Sequence, residues 1–392
     1  MKLKSLLILI GIAIVLAGLA HRTSRRQARP APAGFGEPLL PDIPLDHIAA
    51  VTIQAPAGTV TLSRGHDGWQ VEEFHNYPAN TIRLRRLLLT LVDLKAGQQI
   101  PVDAGTLHEL ELTADTMTRL TLADEAGRAL ADLQLGATRT GQTPDHAMMG
   151  MGPFPDGRFV SPDDGQSVFL IRETLHEVDD IRPRDWARRE LLSVPGRELA
   201  RIRITGPDRA PVDLRRDAAN TWTLTDPAPG ETLDRNKLFA VEGALAHLQL
   251  AGVADPDLPA TDSGLDNPVV FEAQSDAGIV YRVTLGDRHA GGNDRYGRIR
   301  VAFEPDAEGD DSGEADDEAA ASRDELEREA AALDARLAPW IYILPSYQAD
   351  SMMRERDSLL KEPEPEDASP ATEPGDADER DDGDHGDAQT GD

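Results

Sequence analysis

The chain has no cysteine among its 392 residues, which excludes disulfides, thiolate metal sites and lipid attachment at an N-terminal cysteine, and leaves the redox compartment open. Cationic residues are also in short supply, 40 Lys and Arg against 70 Asp and Glu. With no clustered basic face to neutralise phosphates, nucleic acid is not an expected partner. Enzyme signatures are missing as well. There is no Gly-x-Ser-x-Gly elbow and no Gly-rich phosphate loop with its Lys. His108 with Glu109, and His176 with Glu177, begin like zinc-protease helices, but Leu112 and Asp180 stand where the second histidine is required.

What is present is a repetition. Ile48, Val51, Ile53, Val60, Leu62, Arg64 and Trp69 precede a leucine-rich helical run that closes on Leu94. The same order returns as Leu199, Ile202, Ile204, Val212, Leu214, Arg216 and Trp222, before a second run closing on Leu248. The offset drifts only from 151 residues at Ile53 and Ile204 to 154 at Leu94 and Leu248. A period that long fits two domain-sized copies and not a solenoid, whose repeats run to about 20–50 residues.

The net charge of -30 is carried mainly by two tracts: residues 304–334 hold 14 acidic and 2 basic residues, and residues 362–392 hold 13 and 1. Such segments bury too little apolar surface to offset the entropy of ordering, so both are expected to be disordered.

Residues 3–20 are almost wholly apolar, near the lower limit of about 17 for a membrane-crossing helix. They are read as an uncleaved transmembrane signal anchor, although Gly18 and Ala20 also suit a cleaved signal peptide. The flanking Arg22, Arg25, Arg26 and Arg29, taken alone, would keep the body in the cytoplasm. The short basic start argues for export, and an extracytoplasmic body is the reading adopted. Residues 21–44 are a Pro- and Arg-rich linker.

The expected fold class is α+β: two tandem related modules, 45–192 and 197–361, each a mainly antiparallel sheet covered by a helix, preceded by the membrane helix and followed by a disordered acidic tail over 362–392. In the first module, alternation predicts strands over 48–54 and 59–64 and around Trp69, then over 119–122, 130–135, 158–161 and 168–171. Asn80 is placed to cap a helix whose inner face is Leu84, Leu87, Leu88, Leu91 and Leu94, and a closing helix is expected over 184–192. The second module repeats this order, with Asp234 capping a helix through Leu238, Val241, Leu245 and Leu248, and strands over 269–273, 279–285, 298–303 and 340–344. An acidic insertion, 304–335, splits the second copy. Ser322 and Glu325 are read there as a capping box opening a helix that Pro339 ends.

These residues resemble the bacterial domain-of-unknown-function family 4340. The likeness lies in Ser263, Gly264, Leu265, Asp266, Asn267 and Pro268 followed by Leu285 and Gly286, in Leu135 with Gly136, in the paired Trp69 and Trp222, and in the two module ends. Those ends are Arg184, Asp185, Trp186, Leu191 and Leu192 in the first copy, and Arg356, Asp357, Leu359 and Leu360 in the second. The resemblance covers most of 45–360. It implies a membrane-anchored accessory component with its body outside the cytoplasm, associated with ABC transporter subunits like those of the gliding-motility system, and it supplies no catalytic residues. In one place the first copy departs from the pattern: Leu110, Glu111, Leu112 and Thr113 stand where the second has its Gly-Leu-Asp turn.

Other constellations read as structural. Trp69 and Trp222 are expected to seal sheet against helix. His146, Met148, Met149 and Met151 place soft ligands together, for which a loop covering an apolar patch is the preferred account over Cu(I). Asp378, Arg380, Asp382 and Gly383 approach a calcium loop, but Arg380 occupies a ligand position. Arg182, Arg184, Arg188 and Arg189 are expected to pair with Asp179, Asp180, Asp185 and Glu190. No catalytic, cofactor-binding or metal-binding residue is therefore assigned. The expected function is a non-catalytic, membrane-anchored binding protein of the bacterial inner membrane, docking with an ABC-type permease or other envelope protein. The alternative is an envelope hydrolase with a carboxylate pair between the modules. An apolar surface patch would favour the first, and a buried convergent carboxylate pair the second.

Overall fold

A computed structural model describes residues 34–40, 43–141, 154–217, 219–305 and 317–361. The anchor at 3–20, most of the linker, the His146 and Met149 stretch and the tail all lie outside these residues. Among the described residues no helix is long and apolar enough to cross a membrane.

The first half of the chain contains strands β1 (Ala50–Ala55), β2 (Gly58–Gly65), β3 (Gly68–Val71) and β4 (Tyr77–Pro78), then helix α1 (Thr81–Val92), strand β5 (Gln98–Ile100) and the short helix α2 (Ala104–Glu109). Strands β6 (Thr118–Ala123), β7 (Ala129–Gly141), β8 (Phe154–Ser161) and β9 (Val168–Ile171) follow, and a helical turn α3 (Pro183–Trp186) leads to β10 (Glu190–Leu192). The second half has β11 (Leu199–Thr205), β12 (Val212–Arg216), β13 (Trp222–Leu224), α4 (Arg235–Glu242), β14 (Leu248–Gln249), β15 (Gly252–Ala254) and α5 (Ala260–Ser263). It continues with β16 (Val269–Ser275), β17 (Ile279–Arg288), β18 (Arg295–Phe303), α6 (Asp317–Leu337), β19 (Ile341–Leu344) and α7 (Ser346–Met352).

The protein is α+β, built on two large antiparallel sheets with one strand order. The first runs β4-β3-β2-β1-β6-β7-β8-β9-β5 and the second β13-β12-β11-β16-β17-β18-β19-β15, so the orders coincide strand for strand apart from the extra β4. Registers correspond too. Val51 faces Leu62 and Ile53 faces Val60 in one sheet, as Ile202 faces Leu214 and Ile204 faces Val212 in the other, and all eight side chains are buried. Period-two alternation puts these side chains on one face, which needs a cover.

The helices supply that cover. Between β4 on one edge and β5 on the opposite edge the chain must cross the sheet, and α1 makes the crossing with Leu84, Leu87 and Leu91 buried. The Asn80 side chain accepts a hydrogen bond from the Arg83 N–H at 3.1 Å, satisfying an otherwise unpaired donor at the helix start. In the second half Asp234 caps α4 through the Asn236 N–H at 2.9 Å. Both cap residues are held by the far end of their own half: the Asn80 N–H donates to the Trp186 carbonyl at 2.7 Å, and the Asp234 N–H to the Leu359 carbonyl at 2.9 Å.

Four sequence expectations are corrected. The closing helix over 184–192 is a single turn. Pro183 starts it, but Ala187 is extended and bridges Ala79, and the chain continues as strand β10. Helix α4 does not reach Leu248: it stops at Glu242, before Gly243, and Leu248 instead begins β14 and pairs with Leu192. The expectation of disorder does not hold for the second part of the acidic insertion, where the helix expected within it is present as α6, with Ala330 and Leu337 buried and Leu326 and Leu333 half-buried at i, i+4, i+7 and i+11. Ser322 sits inside this helix, so it is not the cap.

Strands β5 and β15 were not anticipated. Each is three residues long and completes the far edge of its sheet.

Candidate functional site

Two places combine exposed or buried chemistry beyond plain core packing: the seam between the sheets and the outer face of α1.

The seam is built by β10 pairing with β14 and by aromatic side chains. Tyr77, at the β4 edge, meets the ring of Trp340 at 4.9 Å and that of Tyr342 at 6.3 Å, both edge to face. The Tyr342 hydroxyl donates to the Leu337 carbonyl at 3.0 Å, and Arg336 donates across the seam to the Leu191 carbonyl at 3.0 Å. Burial pushes the Tyr77 phenol up to about 12 and raises Tyr342 as well. Burial, with the like charge of Arg188, lowers Arg336. The seam thus packs three aromatic rings beside Arg336, with Arg188 and Glu190 close enough to act on its charge.

The outer face of α1 has a different character. Ile82, Arg85, Arg86 and Leu89 stand at i, i+3, i+4 and i+7, a second helical face turned away from the leucines, and all four are exposed. Open grooves of about 550 Å³ flank the helix on either side. One is lined by Ile82, Arg85, Arg86, Leu89, Asp93 and Glu173, and the other by Leu45, Trp69, Ile82, Arg85 and Leu88. A third, of about 430 Å³, continues past the helix end with Phe35, Lys95, Arg139 and Arg172. Five of the eight large apolar side chains exposed among the described residues belong to this region: Phe35, Leu45, Ile82, Leu89 and Val92. Arg85, Arg86, Lys95 and Arg172 make no ion pair among the described residues, whereas Arg139 is paired with Asp156 at 2.8 Å. The sequence reading missed this face because it followed the inward leucines. The four-residue spacing was the available signal.

The residues singled out from sequence are placed as follows. Trp222 is buried, with the Arg216 guanidinium 4.6 Å from its ring, and Trp69 is half-buried with Arg64 at 5.8 Å. Each Arg is the cross-strand partner of its Trp, the same pairing in both sheets. Trp69 also lines the groove beside α1.

Of the basic cluster, Arg182 pairs with Asp185 at 2.7 Å and lies 3.9 Å from Asp180, and Arg184 lies 3.9 Å from Asp185. Asp179 instead goes to the buried Arg158 at 2.8 Å, and the main partner of Asp180 is Arg83 at 2.7 Å. That correction arises because Arg83 and Arg158 anchor the 176–185 segment from within. Arg83 also donates to the Glu177 and Asp185 carbonyls and stacks 4.5 Å over Trp186. His108 lies in α2 and His176 in a short 3-10 turn, and among the described residues no group of three or more His, Asp or Glu is placed to hold a metal.

The turn on which the two halves differ in sequence is the same in backbone. Glu111 and Gly264 both take left-handed φ, +57° and +67°. The next residue closes the turn alike, Leu112 N–H to the Leu107 carbonyl and Leu265 N–H to the Ala260 carbonyl, each at 2.9 Å. Opposite them, a Cβ on Gly136 or Gly286 would lie 2.1 Å from the carbonyl oxygen of Leu110 or Ser263, so both strands need glycine there.

Residues 69–268 match the profile of the family described as Domain of unknown function (DUF4340). Neither the curated proteins nor the solved structures contain a significant match to the chain.

Proposed function

The chain belongs to the family described as Domain of unknown function (DUF4340), and on that premise we propose that it is a non-catalytic, membrane-anchored accessory protein. In this reading, tandem sheet-and-helix modules over 45–192 and 197–361 form an extracytoplasmic binding body, tethered to the bacterial inner membrane by residues 3–20. Its partner would be an ABC-type permease or another envelope protein. The observation that carries the reading is open apolar surface in both halves, Ile82 and Leu89 beside Arg85 and Arg86 on α1 and Phe239 and Tyr347 in the second half, which has the make-up of interaction surface and lacks the enclosed shape of a substrate pocket. The aromatic filling of the seam further supports binding over hydrolysis. The transporter link itself rests on family analogy.

The test is cross-linking in native membranes, with photoreactive residues at the exposed Phe239 and Tyr347 of the second half. Recovery of a transporter permease supports the proposal. If only soluble proteins, or none, are captured at either position, the accessory role falls.

A further inference from the structure

We infer that the outer face of α1 seats on an anionic phospholipid surface, so that the folded body lies against the bilayer instead of swinging from its tether. The proposal deepens the reading above and rests on it for the tether, but the face itself is argued from its own residues.

The apolar side chains come first. Ile82, Leu89 and Val92 lie along one helix, with Leu45 beside its start and Phe35 beside its end. Ile82 is 74% exposed and Phe35 82%, a large cost in water for a chain that buries most of its aliphatic residues. Among them stand Arg85, Arg86, Lys95 and Arg172, none in an ion pair among the described residues, against Asp93 and Glu173. A helix with apolar side chains flanked by long cationic ones suits the headgroup boundary. The methyl groups enter the acyl region to a depth of about 5–10 Å while the guanidinium and ammonium groups reach the phosphates.

Charge gives the face its direction. The whole chain carries -30, with its acidic residues massed in 304–334 and 362–392, so an anionic membrane repels those tracts and attracts this cationic island.

The path of the chain agrees. The segment entering from the N-terminal side is fastened to the end of α1: Gly36 N–H donates to the Ala96 carbonyl, Ala96 N–H to the Glu37 carbonyl, and Leu39 N–H to the Leu94 carbonyl, each at 2.8 Å. If the span ends near residue 20, residues 21–33 reach at most about 45 Å when fully extended, so the tether brings this side of the body to the membrane.

The absence of cysteine provides a direct test on the full chain. Ile82→Cys and, as a control, Phe239→Cys carry an environment-sensitive fluorophore, and each protein is reconstituted into vesicles of phosphatidylcholine alone or of equal parts phosphatidylcholine and phosphatidylglycerol, with and without spin-labelled quencher lipid. The expected result is a blue shift and lipid quenching at position 82 in the anionic vesicles only, no change at position 239, and loss of both signals at 82 when Arg85→Glu and Arg86→Glu are added. A water-exposed spectrum at 82 in anionic vesicles overturns the proposal. So does a blue shift without lipid quenching, which would mean that protein, such as a second copy, covers the face. Flotation with neutral vesicles in high salt reads the tether separately: failure there removes the anchor reading, while quenching at 82 in anionic vesicles would still uphold the seated face.

Discussion

The ring of Tyr77 stands edge-on to the ring of Trp340, 4.9 Å between centroids and 71° between planes, and so joins the edge of the first sheet to the chain just ahead of the last strand of the second. Because Tyr77 is also buried, the two halves share a continuous core at this point. Tyr77→Ala should lower stability by about 3–4 kcal/mol, and Trp340→Ala, at a half-buried position, by about 2 kcal/mol. The double variant should lose less than the sum, by about 0.5–1.5 kcal/mol, in a denaturant-unfolding cycle. Strict additivity would show that the halves are energetically independent.

Alkaline pH should loosen the same contact. The unfolded phenol ionises near pH 10, whereas burial holds Tyr77 neutral up to about 12. The stability tied to the neutral phenol is therefore fully present below pH 10 and is lost as pH rises toward 12. Stability measured across that window should fall less steeply for Tyr77→Phe than for the unaltered chain.

Asp334 should give the opposite sign. Its carboxylate accepts from Arg300 at 2.8 and 3.0 Å and from the Val301 N–H at 2.9 Å, clipping α6 to β18. The Arg300 hydrogen bond holds it below the usual carboxylate range. The contribution is present above the unfolded value of about 4 and disappears as pH drops through the folded one. Asp334→Asn should cost about 1 kcal/mol at neutral pH, since Arg300 is largely exposed, and the protection of α6 amides relative to their intrinsic exchange rates should then no longer fall as the pH drops.

The two equivalent turns predict substitutions of opposite effect. Gly286→Ala places a methyl group against the Ser263 carbonyl and should destabilise by 2 kcal/mol or more, on the order expected for an overpacked site. Glu111→Gly relieves a left-handed non-glycine residue and should stabilise by about 0.5–1 kcal/mol. Thermal melts of both single variants measure the contrast.

Arg83→Lys should be a poor replacement despite the retained charge. A lysine cannot reproduce the fork that reaches the Asp185 carbonyl, the Glu177 carbonyl and the Asp180 carboxylate while stacking on Trp186. A loss of about 2 kcal/mol is expected, with faster hydrogen exchange over 176–187.

The strand alternation and the two capping residues Asn80 and Asp234 were legible from sequence because they depend on local rules of period and hydrogen bonding. Strands β5 and β15 were not, because three-residue edge strands carry no period and exist only through their partners β9 and β19. The overlong readings of α4 and of the 184–192 segment share one cause: Leu245, Leu248, Leu191 and Leu192 are apolar at helical spacing, yet they are buried through the β10 and β14 pairing, a contact between sequence-distant segments. The departure at Glu111 looked like a lost motif. It was a residue-type change on a conserved backbone path, invisible until the φ angles were known. The α1 surface was legible in principle, since 82, 85, 86 and 89 obey helical spacing.

The hairpin of β18 and β19 stays paired, Gly297 opposite Tyr342, although the whole of 304–340 lies between its strands, where β8 and β9 turn within 162–167. Closing a long connection costs only about 0.6 kcal/mol more for each doubling of its length, and here α6 folds back on β18 through Asp334, which offsets part of that cost. That site is therefore a natural splice point, where a reporter or foreign epitope of considerable size would ride on the molecule at little thermodynamic expense.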